Sequence, residues 1–279
     1  MAKESTKLFW RGLGLVITGM LVNTAGNYLY ANRAAIKTFA LNLQKQLPDI
    51  RDLKISDLFN FTDENTTPLP ATIDLRPKCP PVYDQKSLSA CTSNAGVAAR
   101  IMLSDLKVNL SRLFLYYYER DLEGAVMMDT GATMRDVGKA LQKYGVCEET
   151  YCPYVESKYY VTPSSQAITN AEKYKISNYY SLSNLNDIRQ TLNLAQKPVI
   201  GLFELYDNFS DVGSDGVVAM PSGKFNGNHA QLICGYSDAG KYLIVRNSWG
   251  VGWGDKGYAY FPYDYVSQGH AQDFWYLSV

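Results

Sequence analysis

Three short segments of the sequence carry the residue types needed for catalysis by a thiol. They contain Gln85 six positions before Cys91, His229 ahead of an apolar run, and the tetrapeptide Asn247-Ser-Trp-Gly. A thiol attacks a carbonyl carbon well only when a base takes its proton, and an imidazole commonly fills that role. A side-chain amide can orient the imidazole or donate a hydrogen bond to a developing oxyanion. The three segments together therefore predict nucleophilic catalysis.

The order and spacing of these residues resemble the active centre of the papain family of cysteine proteases. That family has a glutamine six residues before a cysteine that opens a helix, then a His-Ala pair that opens a strand, then Asn-Ser-Trp-Gly. The matching residues here are Gln85, Cys91, His229 with Ala230, Asn247 and Trp249. The resemblance covers roughly residues 70–279. It implies an α+β fold with a helical half, an antiparallel β-barrel-like half, and the active site in the cleft between them.

The resemblance assigns a role to each matching residue. Cys91 is the nucleophile, and the predicted helix start favours its thiolate, because free N–H groups and the positive end of the helix dipole lie there. His229 protonates the leaving amine, and Asn247 holds its ring. Gln85 and the backbone N–H of Cys91 form an oxyanion hole. Trp249 shields the hydrogen bond between histidine and asparagine from water.

Each of these residues also has an ordinary structural interpretation. A buried cysteine is commonly an inert packing residue, and a single histidine before a strand is more often structural than catalytic. The joint arrangement favours catalysis over these alternatives. The only other histidine, His270, lies in a polar stretch near the C-terminus, so His229 is the candidate base.

The sequence departs from many family members around the nucleophile. Leu88 stands where they carry a cysteine that forms a disulfide, so that bridge cannot exist here. Thr92 stands where they carry tryptophan, and the Cys-Thr-x-Asn-Ala pattern is similar to the bacterial and viral branch of the family. Neither change removes a group that the chemistry needs.

Substrate recognition is predicted from the turn before Met134 and from apolar residues of two strands. The turn resembles the family's glycine strand, where a substrate backbone pairs as an added strand. The predicted substrate-binding residues are Gly131, Ala132, Met134, Leu202, Ala230 and Trp249. They predict an apolar pocket for the residue two positions before the cut. The alternative, that Met134 and Leu202 are plain core residues, stays open.

The residues before position 70 predict a leader that precedes the catalytic domain. Basic residues followed by the apolar run 13–22 are typical of a secretory signal or a membrane anchor, which we assign to residues 1–32. A first helix packed on the protein is the alternative. Membrane association is accordingly expected through residues 12–32.

The next segment is expected to be a pro-segment with a linker, over residues 33–70, ahead of a catalytic domain over 71–279. Apolar residues at spacings of three and four predict a helix over 33–47. Acidic residues and prolines over 49–70 predict an unstructured connection, because prolines block helix continuation and charges cannot form a core.

The catalytic domain shows helical patterns first and strand patterns later, which favours an α+β fold. Small or amphipathic runs predict helices over 90–106, 111–122 and 134–144. Short apolar runs between glycine-rich turns predict strands over 198–205, 230–235, 242–246 and 258–261.

Composition excludes some classes of function and partner. Lys+Arg and Asp+Glu both number 27, so no basic field favours nucleic acid. The sequence has five cysteines: Cys79, Cys91, Cys147, Cys152 and Cys234. Because the number is odd, one thiol must stay outside any disulfide in an oxidising compartment, and a fully reduced set is an equal alternative. We expect no cofactor and no metal site, because two histidines and scattered cysteines offer no ligand spacing.

These observations predict a monomeric cysteine endopeptidase that forms an acyl-thioester with polypeptide substrates. The leader predicts a zymogen in which residues 33–70 cover the cleft as an intramolecular inhibitor. We expect it to be secreted or membrane-anchored, with a virion-associated or intracellular location as the alternative. Two other functions stay open: a catalytically silent scaffold, which the presence of Cys91 disfavours, and a transpeptidase or amidase with the same acyl-enzyme chemistry.

Overall fold

The computed structural model of the chain describes residues 43, 45–59 and 68–279. Its helices are α1 Ile55–Leu58, α2 Cys91–Leu103, α3 Arg112–Leu122, α4 Met134–Lys143, α5 Ser165–Ala171, α6 Leu185–Ala195 and α7 Asp264–Ser267. Its strands are β1 Thr72–Asp74, β2 Asn178–Leu182, β3 Val199–Tyr206, β4 Phe225–Ser237, β5 Tyr242–Arg246, β6 Tyr258–Pro262 and β7 Ala271–Ser278. Helices α2 to α5 precede most of the strands, as an α+β fold requires.

The strands form one antiparallel sheet in the order β2-β7-β3-β4-β5-β6, with β1 paired to the end of β4. The long strand β4 pairs with β3 along its first part and with β1 and β5 along its last part. Among the described residues no ladder joins β2 to β6. The β-barrel-like half is therefore an open sheet, although bulges at Leu205–Tyr206 and Ile233–Gly235 increase its twist.

Helix α2 lies between the helical half and the sheet and is buried along its whole length. It contacts α3 and α4 on one side and β3, β4 and β7 on the other. Its small residues permit this close packing: a Cβ at Gly96 would lie 2.4 Å from Cγ1 of Val137 in α4. The first residue of α2 is thereby placed at the junction of the two halves.

The described part of the leader does not have the structure that its sequence predicts. The helix predicted over residues 33–47 is wrong at residues 45–47, which are irregular, and most of its remainder lies outside the described residues. Residues 49–59, predicted as an unstructured connection, pack on the catalytic domain with α1 and the buried Ile55. The helix prediction from amphipathic spacing is wrong at residues 45–47 because Leu47 is 84% exposed, while neighbouring polar groups bind the domain.

The start of the catalytic domain is anchored where β1 begins. Tyr236 donates a hydrogen bond to the carbonyl of Pro70 at 2.8 Å, two residues before β1. The boundary at residue 70 stays a prediction. No helix within the described ranges has the length and apolar character to cross a bilayer. Residues 1–32, assigned to a signal or anchor, lie outside those ranges.

Candidate active site

Cys91 is the first residue of α2, and its side chain is almost fully buried. The N-cap residue, Ala90, has no side chain that could accept the first N–H groups of the helix. Those groups remain available to stabilise negative charge on the sulfur. Burial nevertheless raises the pKa of Cys91 to about 11, and backbone hydrogen bonds from Ala230 and Thr92 only partly offset it. With this raised pKa the thiol is mostly neutral at pH 7.

His229 lies in β4, directly before Ala230, whose backbone lowers the pKa of the Cys91 thiol. Its Nε2 is 2.8 Å from Oδ1 of Asn247. That oxygen also accepts the backbone N–H of Ser248 at 2.8 Å, so it is an acceptor and Nε2 carries the proton. Nδ1 is the nitrogen left to act as a base. It is buried and has no hydrogen-bond partner in the part of the chain that the structure describes.

Aromatic rings cover the imidazole of His229. Trp249 stacks on it with ring centroids 4.9 Å apart and an interplanar angle of 28°. Phe209 and Trp253 pack edge-on against Trp249 at 5.5 and 5.4 Å. Burial lowers the pKa of His229 to about 4, while the hydrogen bond to Asn247 acts in the opposite direction. The imidazole is consequently neutral at pH 7.

Gln85 is fully buried, and its side chain is held at both ends. Ser248 Oγ donates to its Oε1 at 2.6 Å, and its Nε2 donates to the carbonyl of Leu88 at 2.9 Å. Its backbone N–H donates to the carbonyl of Ser248 at 2.8 Å. Since Leu88 precedes Cys91 by three residues and Ser248 follows Asn247, Gln85 joins the two turns that carry these side chains.

The predicted substrate-binding residues lie around the same junction. Leu202 and Ala230 are directly opposite each other on β3 and β4. Met134 is the first residue of α4, which contacts β3. Gly131 has a φ of +74°, and it and Ala132 are buried in the segment before α4. Trp249 is the half-buried ring over His229. Their burial does not test whether they bind a substrate, so their substrate-binding role stays a prediction.

Several residues of the site were not predicted from the sequence. Ser248 stands inside the Asn-Ser-Trp-Gly segment and Trp253 four residues after Trp249, so motif spacing offered a signal for both. Phe209 is distant in sequence and follows β3 in a short 3₁₀ turn, where nothing in the local pattern marks it. Its position beside the tryptophans depends on how the sheet folds.

The leader reaches the site through its earliest described residue. The carbonyl of Leu43 accepts a hydrogen bond from the side chain of Asn228 at 3.1 Å, and Asn228 directly precedes His229. Lys45 forms a 2.6 Å ion pair with Glu204 on β3. Glu204 also contacts His270 at 3.1 Å, so the second histidine belongs to this charged cluster on the sheet.

Arg135, the second residue of α4, holds the next part of the leader. Its guanidinium forms a bidentate pair with Asp52, with contacts of 2.8 and 2.6 Å. It also donates to the carbonyl of Leu47 at 2.9 Å, and its backbone N–H donates to Gln46 at 2.8 Å. Further along, Leu53 accepts the backbone N–H of Ser181 at 2.8 Å. The leader thus binds both halves of the domain beside His229.

Comparison with known sequences identifies relatives that match most of the chain. The model of the papain family of cysteine proteases matches residues 69–274. A peptidase C1-like protein of Acanthamoeba polyphaga mimivirus is 34% identical over 265 residues, which cover 83% of this chain and 84% of that protein. Peptidase 1 of Dermatophagoides pteronyssinus is 32% identical over 210 residues, covering 69% of this chain and 61% of that protein.

Solved structures agree with the fold. Xylellain, a cysteine protease from Xylella fastidiosa, matches with a TM-score of 0.78 and 31% identity, over 86% of this chain and 96% of that one. Procathepsin L2 from Tenebrio molitor matches with a TM-score of 0.70 over 88% of this chain and 80% of that one, and at 21% identity it supports the fold alone. The chain therefore belongs to the papain family of cysteine proteases and is a cysteine peptidase.

Proposed function

We propose that the chain is a cysteine endopeptidase made as a zymogen, in which Cys91 is the nucleophile and His229 its proton partner. One observation carries the assignment of these roles. The His229 ring is fixed by Asn247 through Nε2, while Nδ1 is buried and unpaired among the described residues. The backbone of the adjacent residue, Ala230, lowers the pKa of the Cys91 thiol and so lies near the sulfur. This arrangement leaves Nδ1 as the atom that exchanges a proton with the thiol.

The proposed reaction proceeds in two halves. Nδ1 of His229 takes the thiol proton, and the sulfur of Cys91 attacks the carbonyl carbon of the scissile bond. The oxyanion is held by the Cys91 backbone N–H and by the second hydrogen of Gln85 Nε2; losing one such donor typically costs about 3–4 kcal/mol. His229 then protonates the leaving nitrogen, and the C–N bond breaks to give an acyl-thioester. Water, deprotonated by the same nitrogen, releases the acid and regenerates the thiol.

The proposal of a zymogen rests on the contacts of the leader. Its described residues bind Asn228 beside His229 and Arg135 at the start of α4, so they bridge the two sides of the site. The Arg135–Asp52 pair is well shielded, with side chains 13% and 15% exposed. Shielded, bidentate pairs of this kind are stronger than exposed ones. A polypeptide substrate must displace this segment before it reaches Cys91.

We expect Asp52→Asn to weaken the leader's inhibition. The variant keeps the shape of the side chain but removes the charge, and a charge-assisted hydrogen bond contributes about 1.5 kcal/mol or more. The initial rate of peptide hydrolysis by the intact chain, measured before any processing, should therefore rise about tenfold. Asp49→Asn is the matched control, because the hydrogen bonds of Asp49 stay within the leader, on Arg51. Equal effects of the two variants would contradict this role of Asp52.

Covalent labelling tests the proposed nucleophile. We expect an epoxide inhibitor of papain-like enzymes to form one adduct, at Cys91, after the leader is removed by limited proteolysis. Mass spectrometry of the digested protein locates the adduct. Four further cysteines carry free thiols and serve as internal controls: Cys79, Cys147, Cys152 and Cys234. A processed, folded protein without an adduct at Cys91 would favour the silent scaffold.

Product analysis separates hydrolysis from the transpeptidase and amidase alternatives. The acyl-thioester is common to all three reactions, and only the acceptor or the substrate differs. Free acids from a mixture of peptides indicate an endopeptidase, and ligated peptides indicate a transpeptidase. We also propose a secreted or membrane-anchored location, which rests on the basic and apolar pattern of residues 1–32.

A further inference from the structure

A carboxylate outside the catalytic group holds the turn that carries the nucleophile. The backbone N–H of Ser89, two residues before Cys91, lies 3.0 and 3.2 Å from the two carboxylate oxygens of Asp129. The Ser89 hydroxyl donates a further hydrogen bond of 3.3 Å to the same carboxylate. Ser89 is 4% exposed, so these contacts are shielded from water. The position of the turn therefore depends on a residue 40 positions away in sequence.

The same carboxylate is linked to the predicted substrate-pairing segment through Tyr116. The Tyr116 hydroxyl donates to Oδ1 of Asp129 and accepts the backbone N–H of Gly131 at 3.2 Å. Burial raises the pKa of Tyr116, with a further contribution from Asp129, so the hydroxyl stays protonated and remains a donor. One buried hydroxyl thus sets the distance between Asp129 and Gly131.

The loop that carries Asp129 is fixed to helix α3 by a buried arginine. Arg120 donates to the carbonyls of Val126 and Met128 at 2.6 and 3.0 Å. Its guanidinium carbon lies 4.0 Å from the ring centroid of Tyr116, which is within the range of a cation–π contact. The loop position of Asp129 is therefore fixed against helix α3 by Arg120.

Nothing covalent performs this task in the chain. Leu88 leaves the nucleophile turn without a thiol that could form a disulfide there, and all five cysteines are free. Among the described residues, three donors converge on the Asp129 carboxylate: the N–H and O–H of Ser89 and the hydroxyl of Tyr116. A carboxylate suits this position because it offers only acceptors.

We propose that Asp129 is a positioning residue for peptide hydrolysis, acting through Ser89 on Cys91 and through Tyr116 on Gly131. The inference rests on the proposed function. The carboxylate holds the thiol and the substrate-pairing segment at one fixed separation, so that the sulfur meets the carbonyl carbon of a bound peptide. A misplacement of about 1 Å between reacting atoms can cost on the order of a hundredfold in rate.

The test compares Asp129 variants in two assays on chains made full-length and then processed. Asp129→Asn keeps the shape but directs N–H groups at converging donors, so we expect kcat for a peptide to fall at least about tenfold. The second-order rate of alkylation of Cys91 by iodoacetamide, which needs no substrate site, should fall with it. Asp129→Glu keeps both acceptor oxygens and should retain more of both rates than Asp129→Asn. Tyr116→Phe loses the link to Gly131 and should mainly raise KM.

Tyr144→Phe is the matched control, because it removes another tyrosine–carboxylate hydrogen bond, the 3.1 Å contact with Asp121, away from the site. It should leave kcat, KM and alkylation unchanged. The proposal would be overturned if Asp129→Asn kept the wild-type kcat and alkylation rate. It would also be overturned if the only defect of Asp129→Asn were a lower unfolding temperature. If Asp129→Asn does not fold, an unchanged KM in Tyr116→Phe overturns it. Failure of the epoxide to label wild-type Cys91 would instead refute the proposed function.

Discussion

Replacing Cys91 with alanine is expected to abolish peptide cleavage while leaving the fold intact. Without the sulfur no acyl-thioester can form, and loss of a covalent nucleophile typically lowers kcat by roughly 10⁴-fold or more. The folded state should lose only about 1 kcal/mol, because the change removes one atom from the first turn of α2. Cleavage of a fluorogenic peptide measures the first effect, and thermal unfolding measures the second.

Cys147→Ala is the control for this experiment. Cys147 is another fully buried thiol, and it lies in the helical half outside the catalytic group. The Cys147→Ala variant should cleave the peptide at close to the rate of the wild-type enzyme. Cleavage by Cys91→Ala at a comparable rate would show that Cys91 is not the nucleophile.

The second large effect is the rise in the reactivity of Cys91 that we expect when the leader is removed. In the intact chain burial raises the pKa of Cys91 to about 11, so only about one molecule in 10⁴ carries the reactive thiolate at pH 7. Alkylation of Cys91 by iodoacetamide should therefore accelerate about tenfold per pH unit up to about pH 11. We expect removal of the leader to admit water and to permit the thiolate–imidazolium pair. At pH 7 we expect alkylation to become at least about a hundredfold faster and to level off at a lower pH.

The stability of the intact chain is expected to depend on pH through His229. Burial lowers the pKa of His229 from 6.5 to about 4, so the buried ring binds fewer protons than a solvated one. Its contribution to the stability of the covered state is complete above pH 6.5 and is lost as the pH falls towards 4. Acid should accordingly favour opening of the site.

Two controls accompany the alkylation experiment. Cys91→Ala reports the background from the other thiols, and a chain that begins at Ala71 reports the rate without any leader. An intact chain whose alkylation rate already levels off near neutral pH would contradict a covered, neutral thiol. Equal rates of peptide hydrolysis by the intact chain and the chain from Ala71 would show that the leader does not inhibit.

The sequence by itself determined the family and the elements with strong local patterns. Small residues after Cys91 and amphipathic spacing in α3 and α4 predicted helices that the structure confirms within three residues at each end. The apolar run of β5 is confirmed from Tyr242 to Arg246. Such patterns are legible because burial repeats with the period of the element itself.

Other strands escaped prediction because their local patterns are mixed. Asn178 and Ser181 interrupt β2, and Gln272 and Asp273 interrupt β7. Their backbones become strands because β2 pairs with β7, and β7 also pairs with β3. Strand formation in such segments depends on distant partners that no local window contains.

Only the tertiary structure decided how the site is assembled. The motifs supplied a thiol, an imidazole and two amides, but the contact of His229 with Asn247 follows from the pairing of β4 and β5. The leader's contacts with Arg135 and the contacts of Asp129 with Ser89 and Tyr116 have no signature in the sequence. Each depends on polar groups far apart in the chain, and their partners are chosen by the three-dimensional packing of α2, α3 and α4 against the sheet.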